Sequence, residues 1–227
     1  MIPLYDTLHP RRFPLVNWLL IGLNFLVFFY EISLSPPALD RLTRTWGLIP
    51  TQLLVHPATV WVTIFTAMFL HGGWFHILSN MWVLFIFGDN IEDRLGGGRY
   101  LVFYLLSGVV AGLFESFVLQ SSSIPMIGAS GAIAGVLGAY LVLYPRARVA
   151  SLVPILFIFT IIDVPAVIFL LFWFVSQLFS GWLALQGSTA SGIAWWAHVG
   201  GFLFGMLAVN FFAQRRLYSR NNTSLTT

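Results

Sequence analysis

The sequence predicts an all-α, polytopic membrane protein: one domain of six transmembrane helices, the fourth of them short. Three observations predict it. First, 58% of the 227 residues are hydrophobic and 8% are charged, whereas about a quarter of a soluble domain is charged, so the bundle must face lipid over most of its surface. Second, the apolar residues fall into runs long enough to cross a bilayer. Third, the basic residues, all arginine, fall in clusters between those runs, which is how membrane topology is written.

The first run, Leu15 to Leu34, follows Pro14 and has no small-residue cleavage site behind it, so it is expected to be a span rather than a removable leader. Ser35 to Gly73 is a long connection containing Pro and Trp and partly amphipathic, which predicts a segment folded on the membrane surface. Trp74 to about Ile91 and Tyr100 to Leu119 are the second and third spans, and the glycine-rich run Ile127 to Tyr144 is the short fourth. Val149 to Ile162, 14 residues interrupted by Pro154, is too short to cross and is expected to be interfacial or re-entrant. Val164 to Leu185 and Ile193 to Phe212 complete the set.

With six spans, Arg11, Arg12, Arg94, Arg99, Arg146, Arg148, Arg215, Arg216 and Arg220 share one side and only Arg41 and Arg44 the other. That asymmetry puts both termini in the cytoplasm. A seventh span would send the last three arginines outside. No linker or repeat marks a second domain: the core runs from about residue 15 to 212, with short tails 1–14 and 213–227, the latter expected to be disordered. Short tails without a targeting presequence point to a bacterial-type plasma (inner) membrane.

Several function classes are disfavoured. The net charge of +3 forms no basic stripe on a polar face, so nucleic acid is not an expected partner. Without Cys there are neither disulfides nor thiolate metal sites. His71, His76 and His198 lack a carboxylate or thiolate to complete a familiar zinc set, and the H-E-x-x-H signature is absent. No metal and no cofactor is expected.

The polar residues inside the spans carry the functional signal, since each is costly in lipid. His76 and Asn80, spaced i, i+4 near the outer start of span two, share a helical face. Span four opens with Gly128-Ala129-Ser130-Gly131, and span six carries His198 near its outer start. Three helices thus place a serine, two histidines and an asparagine at similar depth near one face. A serine hydroxyl becomes a competent nucleophile when an imidazole takes its proton. Ser130, at a helix start, lies among backbone N–H groups without intrahelical acceptors. With Asn80 and His76, these donors suit the oxyanion of acyl transfer. Small-xxx-small pairs, Gly131 with Gly135 and Gly201 with Gly205, suit the close helix contact that brings Ser130 to His198. The blander readings are a packing serine, polar helix contacts at His76 and Asn80, and a solvated loop histidine at His71. Phe172, Trp173 and Phe174 on span five read as lipid-facing or packing residues.

At these residues the sequence resembles the rhomboid family of intramembrane serine proteases. The pieces are His71-x4-His76-x3-Asn80, Gly128-x-Ser130-Gly131 and Ala197-His198-x2-Gly201-x3-Gly205. Each is weak alone, but together, in this order on spans two, four and six, they are specific. The resemblance implies a six-helix bundle with a water-filled cavity open to the outside. It implies a dyad of Ser130 and His198, and an oxyanion site of His76, Asn80 and the Ser130 N–H, with His71 and Gly128 as accessory residues. It implies transmembrane proteins as substrates, and structural roles for Glu92 and Gly96. Two features depart from the family pattern: Trp61-Val62-Thr63 stands where many members have Trp-Arg, and Ala134 stands where some have an aromatic ring packed on the histidine. No acidic residue is placed to complete a triad, as Glu115 and Asp163 lie on other elements. The competing functions are a catalytically inactive scaffold, expected to lack the Ser or the His, and a transporter, expected to show paired repeats. The oligomeric state is left open.

Overall fold

The computed structural model describes residues 1–155, 158–187 and 193–214. Its long helices coincide closely with the apolar runs. α1 spans Leu15–Ser33. The long connection after α1 folds into α2 (Pro36–Trp46), α3 (Pro50–Val55), α4 (Pro57–Val60) and α5 (Thr63–Thr66), then a 3-10 turn over Ala67–Phe69. The first three of these begin at a proline, whose missing N–H costs nothing at a helix start. α6 (Trp74–Leu95) and α7 (Gly97–Val118) follow, then α8 (Ser130–Leu143), α9 (Ala166–Leu185) and α10 (Trp195–Phe212).

Among the described residues four helices, α1, α7, α9 and α10, are long and apolar enough to cross a membrane by themselves. α6 carries His76 and Asn80 in its first two turns and Asp89, Glu92, Asp93 and Arg94 in its last two, and it qualifies only together with the Thr63–Phe69 segment, from which it is bent by 95°. α8, at 14 residues, is the short apolar helix. It is the centre of the bundle: every residue from Gly131 to Leu141 is buried, and α7, α10 and α6 pack around it. The chain is a mostly helical, multi-pass membrane protein.

Helix starts in this setting need acceptors, because lipid supplies none for the first-turn N–H groups. Carboxylates on neighbouring helices do this work. Glu92 on α6 accepts from Val16 and Asn17 at the start of α1, at 3.0 and 2.7 Å. Glu115 on α7 accepts from Ala197 at the start of α10, at 2.6 Å. Glu31 on α1 accepts from the His71 N–H just before α6, with both oxygens at 3.1 Å. Negative charge at a helix N-terminus is also favoured by the helix dipole.

The segment expected to be interfacial or re-entrant is a β-hairpin, the one departure from an all-α architecture. β2 (Arg148–Ile155) and β3 (Ile158–Pro165) pair antiparallel, and β1 (Ile2–Asp6) adds to the other side of β2. The tail expected before residue 15 is therefore part of the folded unit. The physical reason lies in the composition: Val149, Val153, Ile155, Ile158, Thr160, Ile161, Ile162 and Val164 are β-branched, which favours strands over a short helix. Pro154, a poor residue for a central strand, lies beyond Leu152, the last β2 residue that pairs with β1, so its missing N–H disturbs no ladder there.

β1 climbs alongside α6. Asp6 is bonded to Asn90 at 3.0 Å and the Pro3 carbonyl to the Trp82 indole at 2.7 Å. Those two helix positions are separated by about 12 Å of rise. The sheet thus lies against the flank of the bundle rather than projecting away from it.

Candidate active site

Ser130 is the first residue of α8, and the connection between α1 and α6 holds the turn before it. Leu48 and Met126 exchange backbone bonds of 3.0 and 2.8 Å, and Gly128 N–H donates to the Ala67 carbonyl at 2.8 Å. Gly128 itself has φ +124°, a conformation open to glycine. A Cβ there would lie 2.7 Å from His76 Nε2, so the absent side chain also lets the His76 ring approach the serine turn.

His198 sits in the first turn of α10, buried at 8% exposure. Its Nε2 lies 2.8 Å from Ser130 Oγ. This reach depends on backbone contact between α8 and α10. A Cβ on Gly201 would collide with the Gly131 carbonyl, and one on Gly205 with the Gly135 carbonyl. The small-residue pairs read from the sequence are the surfaces in contact, as close helix packing requires.

His76 and Asn80 lie on α6 as their spacing predicts. His76 Nδ1 accepts from the Gly72 N–H at 3.3 Å. Asn80 is buried, and its Nδ2 has no hydrogen-bond partner in the structure. Buried donors are rarely left unpaired, and this one lies on the helix face it shares with His76. His71 is not a solvated loop residue: it is 3% exposed, with its ring centroid 5.1 Å from that of His76. A cavity of about 30 Å³ adjoins Ser130, Gly128 and Gly131 and is bounded by Met68, Gly108 and Met126; it is large enough for a water molecule. Among the described residues no three His, Cys, Asp or Glu side chains gather as a metal ion would require.

The sequence reading missed one neighbour of the site. Gln177 on α9 is buried, and its Oε1 lies 2.8 Å from His198 Nδ1. The signal was present, because a lone amide in an apolar span is as costly as Asn80. Trp173, one turn earlier, lies over His198 with ring centroids 5.9 Å apart and planes tilted by 34°. Trp173 is thus one of the packing residues expected on this span, with its ring against both His198 and Phe202. Glu115 approaches the same turn but bonds the Ala197 N–H.

The rhomboid-domain family profile matches residues 58–215. Rhomboid protein 1, mitochondrial, of Saccharomyces cerevisiae is 27% identical over 236 residues, covering 94% of this chain and 59% of its own length. Two proteins of Bacillus subtilis are each 36% identical: putative rhomboid protease YdcA over 58% of this chain and 63% of its own length, and rhomboid protease GluP over 56% and 24%. The chain spans less than two thirds of the length of each of these relatives. With this match running from α4 through α10, and a serine and a histidine in contact where α8 and α10 begin, the chain belongs to the rhomboid family.

Proposed function

We propose that this protein is an intramembrane serine endopeptidase that hydrolyses peptide bonds in or near the transmembrane segments of other membrane proteins. The observation that carries the proposal is the 2.8 Å contact between Ser130 Oγ and His198 Nε2, made where α8 and α10 begin. A substrate helix hides its carbonyls in its own hydrogen bonds, so the scissile stretch must unwind before attack.

In this reading His198 Nε2 takes the Ser130 proton as Oγ attacks the scissile carbonyl carbon. The oxygen gains negative charge and is met by the Ser130 N–H, the Asn80 amide and His76. The imidazolium then gives its proton to the leaving nitrogen as the C–N bond breaks. Water, deprotonated by the same imidazole, attacks the acyl-serine and releases the second product. His71 and Gly128 support this arrangement, the first against the His76 ring and the second by leaving room for it.

The same reading includes six spans, with α8 as the short fourth, both termini in the cytoplasm and the Ser35–Gly73 connection outside, in a plasma membrane of bacterial type. It rests on the arginine asymmetry, of which Arg215, Arg216 and Arg220 lie outside the described residues. Single cysteines test it cleanly because the chain has none. An impermeant thiol reagent applied from outside should modify Asp40→Cys and spare Thr223→Cys. Modification of Thr223→Cys in sealed cells would overturn the topology.

The chemistry is tested with a fluorophosphonate serine probe on the purified protein. Labelling that disappears in Ser130→Ala, together with loss of cleavage of a single-span substrate, is the expected result. Undiminished cleavage by Ser130→Ala would end the serine-protease reading.

A further inference from the structure

Resting on the reading of Ser130 as nucleophile and His198 as base, we infer that Gln177 is the positioning residue of the site, fixing the tautomer and orientation of the catalytic imidazole from a third helix. A Ser–His pair needs one further condition: the imidazole must keep Nε2 unprotonated and aimed at Oγ. In a neutral ring that happens when Nδ1 carries the proton and has an acceptor to hold it.

The hydrogen bonds around Gln177 set the direction of each proton. Ser176 Oγ donates to the Trp173 carbonyl at 2.6 Å, so its remaining capacity toward Gln177 is as an acceptor. Gln177 Nε2 lies 2.9 Å from that Oγ and 3.2 Å from the Trp173 carbonyl oxygen. Both are acceptors, so the end of the amide facing them is the NH₂. The oxygen is therefore the end facing the imidazole, 2.8 Å from Nδ1, and an oxygen there is satisfied only by Nδ1–H. Nε2 is then bare, 2.8 Å from Ser130 Oγ, ready to accept its proton. The opposite tautomer would bury two acceptors against each other and is disfavoured by about 10- to 100-fold.

The placement also accounts for Ala134. Ala134 faces α10, its Cβ 3.4 Å from where a Cβ on Gly201 would lie, and brings no ring to the imidazole. The orientation of His198 comes from α9 instead, through the Gln177 amide and the overlying Trp173 ring.

Two measurements test the proposal against a merely structural tie between α9 and α10. In the unaltered protein, ¹⁵N shifts of the His198 imidazole report the tautomer directly. Protonated Nδ1 is expected, and protonated Nε2 overturns the proposal without any variant. Gln177→Met keeps the length and removes the acceptor, and should lower kcat by about 10- to 100-fold with KM changed by less than about twofold. Gln177→Glu restores an acceptor of the same reach and should recover most of that loss. Full kcat in folded Gln177→Met, or no more recovery in Gln177→Glu than in Gln177→Met, sinks the idea. Where Ser130→Ala is inactive and Gln177→Met is fully active, this inference alone fails. Where Ser130→Ala still cleaves, the parent reading fails with it.

Discussion

The two ends of α8 carry buried polar groups under opposite rules. At its start a small cavity adjoins Ser130, and on and just before α6 the Asn80 amide nitrogen and His71 Nε2 are buried without partners. At its other end, about 15 Å away, the groups are tied together. Tyr140 OH donates to Asp6, Asn90 bonds both Asp6 and Asp89, and Tyr144 OH donates to the Asn90 carbonyl. A satisfied buried network holds elements in place, here β1 against α6 and α8. An unsatisfied donor costs free energy unless something else fills it. In the proposed mechanism that something is the oxyanion, present only during turnover.

The sharpest way to break this contrast is to remove the reacting pair. Ser130→Ala and His198→Ala should each lower cleavage by roughly 10³-fold or more, while far-UV circular dichroism and melting stay near those of the unaltered protein. Because the two act as one unit, the double variant should be hardly slower than either single one. Additive losses would mean that they do not work together.

Asn80→Ala comes next. It should cost about 10²–10³-fold in kcat, with little change in KM, because the oxyanion exists only after attack. Removing an unpaired buried amide should leave stability unchanged or slightly improved. A large drop in melting temperature would instead make Asn80 a structural residue.

At the far end the pattern should invert. Tyr140→Phe leaves Asp6 with one fewer donor and should destabilise the fold by about 1–3 kcal/mol, with kcat per folded molecule within about twofold of normal. The smallest effect expected is on pH dependence. Burial raises the Asp6 carboxyl above its ordinary range, the Tyr140 hydrogen bond offsetting only part of that. The folded state then holds this proton more tightly than the unfolded state does. The stability it contributes is complete below the ordinary carboxyl pKa and is lost as pH rises through the folded-state value. Asp6→Asn should flatten that slope in detergent unfolding curves; an unchanged slope would assign it to other groups.

Much of this arrangement was legible along the chain because lipid imposes local rules. A segment that crosses must be apolar along its own length, so the limits of α1, α7, α9 and α10 follow from composition within a few residues. Ser130, His198, His76 and Asn80 stood out for the complementary reason, as polar groups where polarity is expensive. The glycines at 131, 135, 201 and 205 marked the faces of α8 and α10 that now touch. Gln177 obeys the same rule as Asn80, yet its role depends on a partner 21 residues away on another helix. The sequence alone assigns the Val149–Ile162 segment no secondary structure, because 14 apolar residues with a proline suit several conformations until β1 is there to pair with them.

The sequence by itself determined which segments are apolar enough for lipid, which polar residues stand out within them and which helices approach closely, because burial cost and side-chain size are properties of each residue. Tertiary structure alone decided that the N-terminal strand completes a sheet, that Glu31, Glu92 and Glu115 supply acceptors at helix starts on other elements, and that Gln177 faces His198. Each of those is a pairing between groups distant in the chain, and a hydrogen bond exists only when both of its ends are in place.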